Sequence, residues 1–247
     1  TLRELFKKYP EIQKEFEGVH MLTFHSSSLS MPCSATKPLK TLADWKGRLV
    51  RTGGGYKLET HEALGAVPVA LDPGEWFDAM SKGVYETFDG NFQSLIIFGV
   101  FDLINYSTIF NTGADYFIHV MNQDFYNSLP ADLQKLLTFE QQELDSKVFG
   151  WRFNMDEHAA KDKLAAKFAE KGLPEIYILP EAEKAKWVEK LKPIEDLWLK
   201  DATAKVGEAK AKAILEDCKK FCEQYSYENM NPDMSATLAE WQALPAV

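Results

Sequence analysis

Along residues 18–26, GVHMLTFHS, apolar residues are interspersed with single polar ones, and the stretch reads as a strand ending in the polar run Ser26-Ser27-Ser28. Ahead of it, residues 1–17 read as helix broken near Pro10. Behind it, Thr41 and Asp44 of TLADWKG stand at capping-box distance. RLVR (48–51) is then a strand, and YKLETHEALG (56–65) a helix stopped by Gly65. AVPVAL (66–71) gives a short strand, and PGEWFDAMSKG (73–83) a helix with Pro73 near its start and Gly83 after its end. VYETF (84–88) is a strand again. Short strands alternating with short helices predict an α/β chain with a parallel or mixed sheet.

The second half is mostly helical. Residues 92–112 read as helix followed by a strand near Tyr106 to Phe110; DYFIHVMN (115–122) is a strand, and QDFYNSLP (123–130) a short helix closed by Pro130. From Ala131 to Gly172 the pattern stays helical, with Gly150 as its internal weak point. Its apolar positions do not hold heptads, which argues for a bracing helix rather than a coiled coil. PEIYILP (174–180) is a last strand, residues 181–225 are helical, and the tail from Tyr225 reads as irregular with a short helix before Trp241.

Composition narrows the function classes. A chain of 247 residues holds one large domain or two modest ones, and 45% apolar with 26% charged residues is ordinary for a globular protein. The net charge of −9 argues against a nucleic-acid partner, which needs a concentrated basic face. The longest apolar run, around Leu95 to Leu103, is broken by Gly99 and Asp102 and is too short to insert into a membrane. Thr1-Leu2-Arg3-Glu4 reads as helix, not as a signal peptide, which secreted proteins lose on maturation. Cys33, Cys218 and Cys222 cannot all pair internally, so no disulfide scaffold is expected. Cys218 and Cys222 lie one helical turn apart, but no His or further Cys follows nearby to complete a metal site; inert thiols are expected. His20, His25, His61, His119 and His158 show no ligand spacing, and no metal or cofactor is expected.

The stretch RLVRTGGGYKLETHEALG (48–65) carries the first candidate chemistry. Lys57 is followed by Leu58 rather than Ser or Thr, so the glycines do not form a Walker loop; Leu58 also stands three beyond Gly55, where the dinucleotide fingerprint needs glycine. What remains is a strand end, a permanent positive charge at Arg51 and a helix N-terminus, a combination that suits a small anion. The alternative is that Arg51 pairs with one of the 37 acidic residues. Ser26-Ser27-Ser28 lacks the Gly-x-Ser-x-Gly elbow of a nucleophile.

Several motifs occur in a telling order: Lys37-Pro38, Asp44-Trp45-Lys46-Gly47, Arg51, and Leu64-Gly65-Ala66-Val67-Pro68-Val69. Gly74-Glu75-Trp76-Phe77, Gly83-Val84-Tyr85-Glu86-Thr87, Asn122 and Ser128-Leu129-Pro130-Ala131-Asp132-Leu133 follow. In this order the chain resembles the extracytoplasmic solute-binding proteins of tripartite ATP-independent periplasmic (TRAP) transporters, well over residues 18–160 and loosely beyond. Glu86-Thr87 departs from the family's usual Asp-Gly. The family also opens with a strand–helix–strand region, and this sequence starts after it; a sheet without those strands is expected to expose apolar faces.

The resemblance implies a two-lobed α/β fold with a ligand cleft between lobes and long C-terminal helices. Lobe I is expected to comprise residues 1–27 and 115–157, and lobe II residues 28–114 and 158–247. It implies that Arg51 holds a ligand carboxylate as a bidentate pair. Asn91 and Gln93, after a strand end, are candidates for polar contacts, Phe92 for an apolar one, and Tyr56 stands similarly after the glycines. Ser28 and Met31 lie where the first crossing strand enters the second lobe, with Asn111 and Phe117 beside the second crossing strand. Members of the resembled family that bind larger acids often carry an extra arginine near Met31, and its absence here implies a ligand with one dominant anionic group. The function implied is capture of a small organic anion, a carboxylate with an aromatic or apolar portion. The protein would act in the periplasm, as a monomer that closes over its ligand and delivers it to the TRAP membrane subunits. The competing class is an enzyme acting on a small carboxylate with Glu86 or Asp89 as acid or base.

Overall fold

The computed structural model describes residues 1–139 and 141–225. Helices α1 (Leu2–Lys8) and α2 (Pro10–Lys14) open the chain, with Pro10 at the first position of α2, where a missing N–H is harmless. Strand β1 (Val19–Ser34), a short helical turn (Leu42–Trp45), β2 (Leu49–Arg51), α3 (Tyr56–Leu64) and β3 (Val67–Val69) follow. Next come α4 (Trp76–Ser81), β4 (Thr87–Gly90), α5 (Phe92–Ile97), β5 (Tyr106–Ile109) and β6 (Gly113–Asn122). The remainder is α6 (Gln123–Ser128), α7 (Ala131–Leu136), α8 (Glu143–Glu170), β7 (Tyr177–Ile178), α9 (Glu181–Val206) and α10 (Glu208–Gln224). The Thr41–Asp44 capping box forms as read, and Gly65 ends α3 at φ 99°, a left-handed conformation that favours glycine. The short helix expected before Trp241 lies outside the described residues.

Three expectations are corrected. The strand does not stop at the serines: β1 runs on to Ser34 because this polar run is bonded rather than looped. Ser27 Oγ accepts from the Asp115 amide at 3.1 Å, and the Ser30 carbonyl accepts from the Thr112 amide at 3.0 Å. The helical pattern of 131–172 breaks between Leu136 and Glu143, not at Gly150, which sits inside unbroken α8. At this break side chains capture the freed carbonyls: His20 Nε2 bonds Leu137 O at 2.7 Å and Thr23 Oγ1 donates to Gln142 O at 3.1 Å, while Phe139 turns into the core. Finally, β4 occupies 87–90 rather than 84–88, because the Val84 amide is taken by the Ala79 carbonyl at the end of α4.

The described chain forms two compact units. Of the described residues, the first comprises 1–26, 116–139, 141–153 and 199–225. Its core gathers Met21, Phe24 and Phe139 with Leu2, Phe6 and Phe16. The expected grouping of 158–247 with 28–114 is corrected: residues 199–225 group here, since α10 is bound to α1 and α2. Tyr9 donates to the Asp217 carboxylate, Lys8 pairs with it, and Lys210 pairs with Glu11 at 3.0 Å. On β6, Tyr116, Phe117, Ile118 and Val120 are all exposed.

The second unit comprises 27–115 and 154–198. Its mixed sheet has the order β3-β2-β4-β1-β5-β7, and β6 also pairs with β1. β2 pairs in parallel with β3 and β4, while β1 is antiparallel to β4 and β5. Successive strand residues face opposite sides, so both faces are covered. Leu49 packs with Cys33, Trp76, Phe88, Phe92, Leu95 and Leu164 on one face, and Val50 with Trp45, Leu64, Phe110 and Trp187 on the other.

Candidate anion-binding site

Strand alternation determines the surroundings of Arg51, the last residue of β2. Leu49 points to the Trp76 face and Val50 to the Trp45 face, so Arg51 returns to the Trp76 face and Thr52 to the other. The guanidinium carbon lies 3.3 Å from the Trp76 ring centroid and 4.8 Å from that of Phe88. Its Nη1 donates to the backbone carbonyl of Asp89 at 3.1 Å. Arg51 is only 8% exposed, yet no carboxylate of the described residues lies within ion-pair distance of it. Nε is buried without a hydrogen-bond partner. Burial pushes the guanidinium down to about 10, opposed by the more distant carboxylates of Asp89 and Asp115. The site therefore holds an unneutralised buried cation.

The Asp89 carboxylate is on the opposite face and has its own partners. Thr52 Oγ1 donates to Oδ2 at 3.2 Å, and Thr112 Oγ1 donates to Oδ1. His61 of α3 gives its Nδ1 proton to the Lys57 carbonyl at 2.7 Å and turns Nε2 toward Asp89 Oδ1 at 3.8 Å. These contacts gather the ends of β2 and β4, the turn before β6 and, through the Ser30 carbonyl, β1. Between β2 and α3, Gly55 has φ 63°, a conformation side chains rarely adopt, and this turns the chain from strand to helix. Lys57 arches over Gly53 and Gly113, and its ammonium bonds Asp115 at 2.6 Å and Ser30 Oγ at 3.3 Å.

The other sequence candidates divide. Asn91 is buried and caps α5, its Oδ1 accepting the Ser94 amide at 2.8 Å. Phe92, 1% exposed, fills the core, as does Met31. Gln93 is engaged by α8: its amide donates to Glu157 at 2.9 Å and its side chain to Asp156 at 3.2 Å. Tyr56 begins α3 and is partly exposed. Ser28 is half-buried, its carbonyl accepting from Ser27 Oγ at 2.8 Å. Asn111 is exposed, and its Oδ1 accepts the Gly113 amide at 2.9 Å. Phe117 belongs to the first unit, where it stacks on His25 at 4.8 Å. Trp76, Thr52 and Thr112 were not singled out from the sequence. Trp76 sits inside a motif helix, but nothing local signals its contact with Arg51. Of the two carboxylates considered for catalysis, Glu86 pairs with Arg48 at 3.1 Å, and Asp89 is fully buried with both oxygens engaged.

Residues 6–201 match the family described as bacterial extracellular solute-binding protein, family 7. The C4-dicarboxylate-binding periplasmic protein DctP of Rhodobacter capsulatus is 26% identical over 183 residues, covering 74% of this chain. The chain spans about half, 53%, of the length of that curated relative. A TRAP periplasmic solute-binding protein from Desulfovibrio salexigens superimposes with a TM-score of 0.72 at 28% identity, over 93% of this chain and 69% of the other. One from Bordetella bronchiseptica, solved with bound (R)- and (S)-mandelate, gives a TM-score of 0.71 at 25% identity, over 89% and 69%. The chain belongs to the bacterial extracellular solute-binding protein family 7. No helix of its described residues is long and apolar enough to cross a membrane.

Proposed function

We propose that the protein is the periplasmic solute-binding component of a TRAP transporter, capturing a small organic carboxylate and delivering it unchanged to the membrane subunits. It acts as a monomer and needs no cofactor. The observation that carries this reading is Arg51, a buried guanidinium with no carboxylate of the described residues beside it and an unpartnered Nε. A ligand carboxylate would take the Nε–Nη2 edge as a bidentate pair while Nη1 keeps the Asp89 carbonyl. Tyr56, five residues after Arg51, and Asn91, two residues after the Asp89 carbonyl that Arg51 bonds, are the polar neighbours proposed for the ligand. Lys57 is already neutralised by Asp115, which favours a ligand with one dominant anionic group. Relatives at similar identity are named for C4-dicarboxylates or carry mandelate, and the carboxylate is what those ligands share.

Titration calorimetry with mandelate and with succinate tests the reading, with native mass spectrometry to detect an anion carried through purification. Saturable, stoichiometric binding of a carboxylate recovered unchanged is expected. Conversion of the bound acid to product would favour the enzyme, and binding that survives in Arg51→Ala would remove Arg51 from the site.

A further inference from the structure

The contact between Arg51 and Trp76 has a specific geometry. With the guanidinium carbon 3.3 Å from the indole centroid, an edge-on approach is impossible. A C–N bond of about 1.3 Å pointing at the ring would place a nitrogen about 2 Å from it, far inside contact distance. The guanidinium must therefore lie flat on the ring. All its N–H donors are in its own plane, so a partner on its face stabilises the charge without occupying a donor. A carboxylate partner would do the opposite, taking the same edge that a ligand needs.

The indole is itself fixed. Its Nε1 donates to the Leu71 carbonyl at 2.9 Å, and Phe98 and Phe88 meet it edge to face at 4.1 and 5.4 Å. Trp76 is 6% exposed. The Tyr85 hydroxyl donates to the Trp76 carbonyl at 2.8 Å, tying the backbone of α4 to the strand side as well. A ring held at both its N–H and its edges defines one plane, and that plane sets the orientation of the guanidinium.

We infer that Trp76 is a positioning residue of the anion site: its indole face holds the buried Arg51 flat and charged while leaving the in-plane donors for a ligand carboxylate. This rests on the reading of Arg51 as the ligand's partner. It adds that affinity depends on the electron density of a ring that no ligand atom need touch.

Site-specific replacement of Trp76 by mono-, di- and trifluorotryptophan withdraws electron density from the ring face with little change of shape. The expected result is a stepwise loss of mandelate affinity with an unchanged melting temperature; a flat response overturns the inference. Trp76→Phe keeps a π face and Trp76→Leu does not, while both remove packing volume. Trp76→Leu is expected to bind about tenfold more weakly than Trp76→Phe, and equal affinities would reduce Trp76 to packing. Crystal structures supply a ligand-independent criterion: in Trp76→Leu the guanidinium should leave the Asp89 carbonyl, and an unmoved Arg51 overturns the inference. Arg51→Ala separates the two levels. If it binds as the wild type does, the site reading fails; if it loses binding while the fluorinated series is flat, only the role of Trp76 fails.

Discussion

Arg51 meets Asp89 through the backbone: Nη1 donates to the Asp89 carbonyl at 3.1 Å, while the Asp89 carboxylate lies across the sheet with Thr52 and Thr112. The two charges face away from each other, so an internal ion pair does not account for the arginine. Arg51→Ala is therefore expected to abolish most carboxylate binding with little or no loss of melting temperature. Two charge-assisted hydrogen bonds contribute about 1.5–3 kcal/mol each, which corresponds to a loss of about two to four orders of magnitude in affinity. Arg51→Lys should recover only part, because a point charge cannot form the fork. Calorimetry and a melting curve on each variant check this, and a lowered melting temperature with retained affinity would contradict it.

Asp89 has the opposite profile. Removing its carboxylate leaves the Thr52 hydroxyl without its acceptor and Thr112 with the Ser30 carbonyl alone, both in the interior. Leaving buried hydrogen-bonding groups unsatisfied costs about 1–3 kcal/mol each, so Asp89→Ala should lower stability. Asp89→Asn, which keeps one acceptor oxygen, should lower it less. Chemical denaturation of both variants measures the difference, and similar stability in all three proteins would refute the role given to this network.

In the first unit a histidine pair predicts a pH dependence. His119 Nε2 and His25 Nδ1 are 3.1 Å apart, and His25 stacks on Phe117 and adjoins Phe149 and Phe153. Burial, then the neighbouring His119, holds His25 below its ordinary 6.5. The unfolded chain thus binds a proton more readily than the folded one below that value. The stability contribution is present above about pH 6.5 and is lost as pH falls through the window beneath it. Asp145, raised by burial, acts in the reverse sense at lower pH, so the comparison belongs between about pH 7.5 and 5.5. The melting temperature should drop across that interval in the wild type and drop less in His25→Phe. Equal drops would show that His25 does not contribute.

The alternation of short strands and helices was legible in the sequence because each element carries local punctuation, such as Gly65 after α3 and Pro73 ahead of α4. Elements whose limits depend on distant partners were not. The serine run continues as strand because residues 112–115 bond it, and the 131–172 helix breaks because Arg3, His20 and Thr23 take carbonyls from Leu137 to Gln142. At the site, Arg51 stood out as a charge ending an apolar strand. What the local pattern cannot show is the face-on contact with Trp76, 25 residues later, or that Phe92 points into the core while its neighbour Asn91 caps a helix.

That cap is reinforced from α8, which supplies the last prediction. Glu157 is buried, and its two oxygens accept the Phe92 and Gln93 amides at 2.8 and 2.9 Å, satisfying donors at the start of α5 that no helical carbonyl can reach. Burial raises the Glu157 carboxyl, and the two amide bonds oppose that rise. Glu157→Ala leaves both amides unpaired in the interior at about 1–3 kcal/mol each, and it frees the turn carrying Asp89 to Gln93, next to the Arg51 contact. Glu157→Gln keeps one acceptor and should lose roughly half as much. Since the turn holds the carbonyl that orients Nη1, affinity for mandelate should decline in step with stability across wild type, Gln and Ala. Denaturation and titration on the same three proteins test the coupling. Full affinity in a destabilised Glu157→Ala would show that Arg51 is held without this turn, by Trp76 alone.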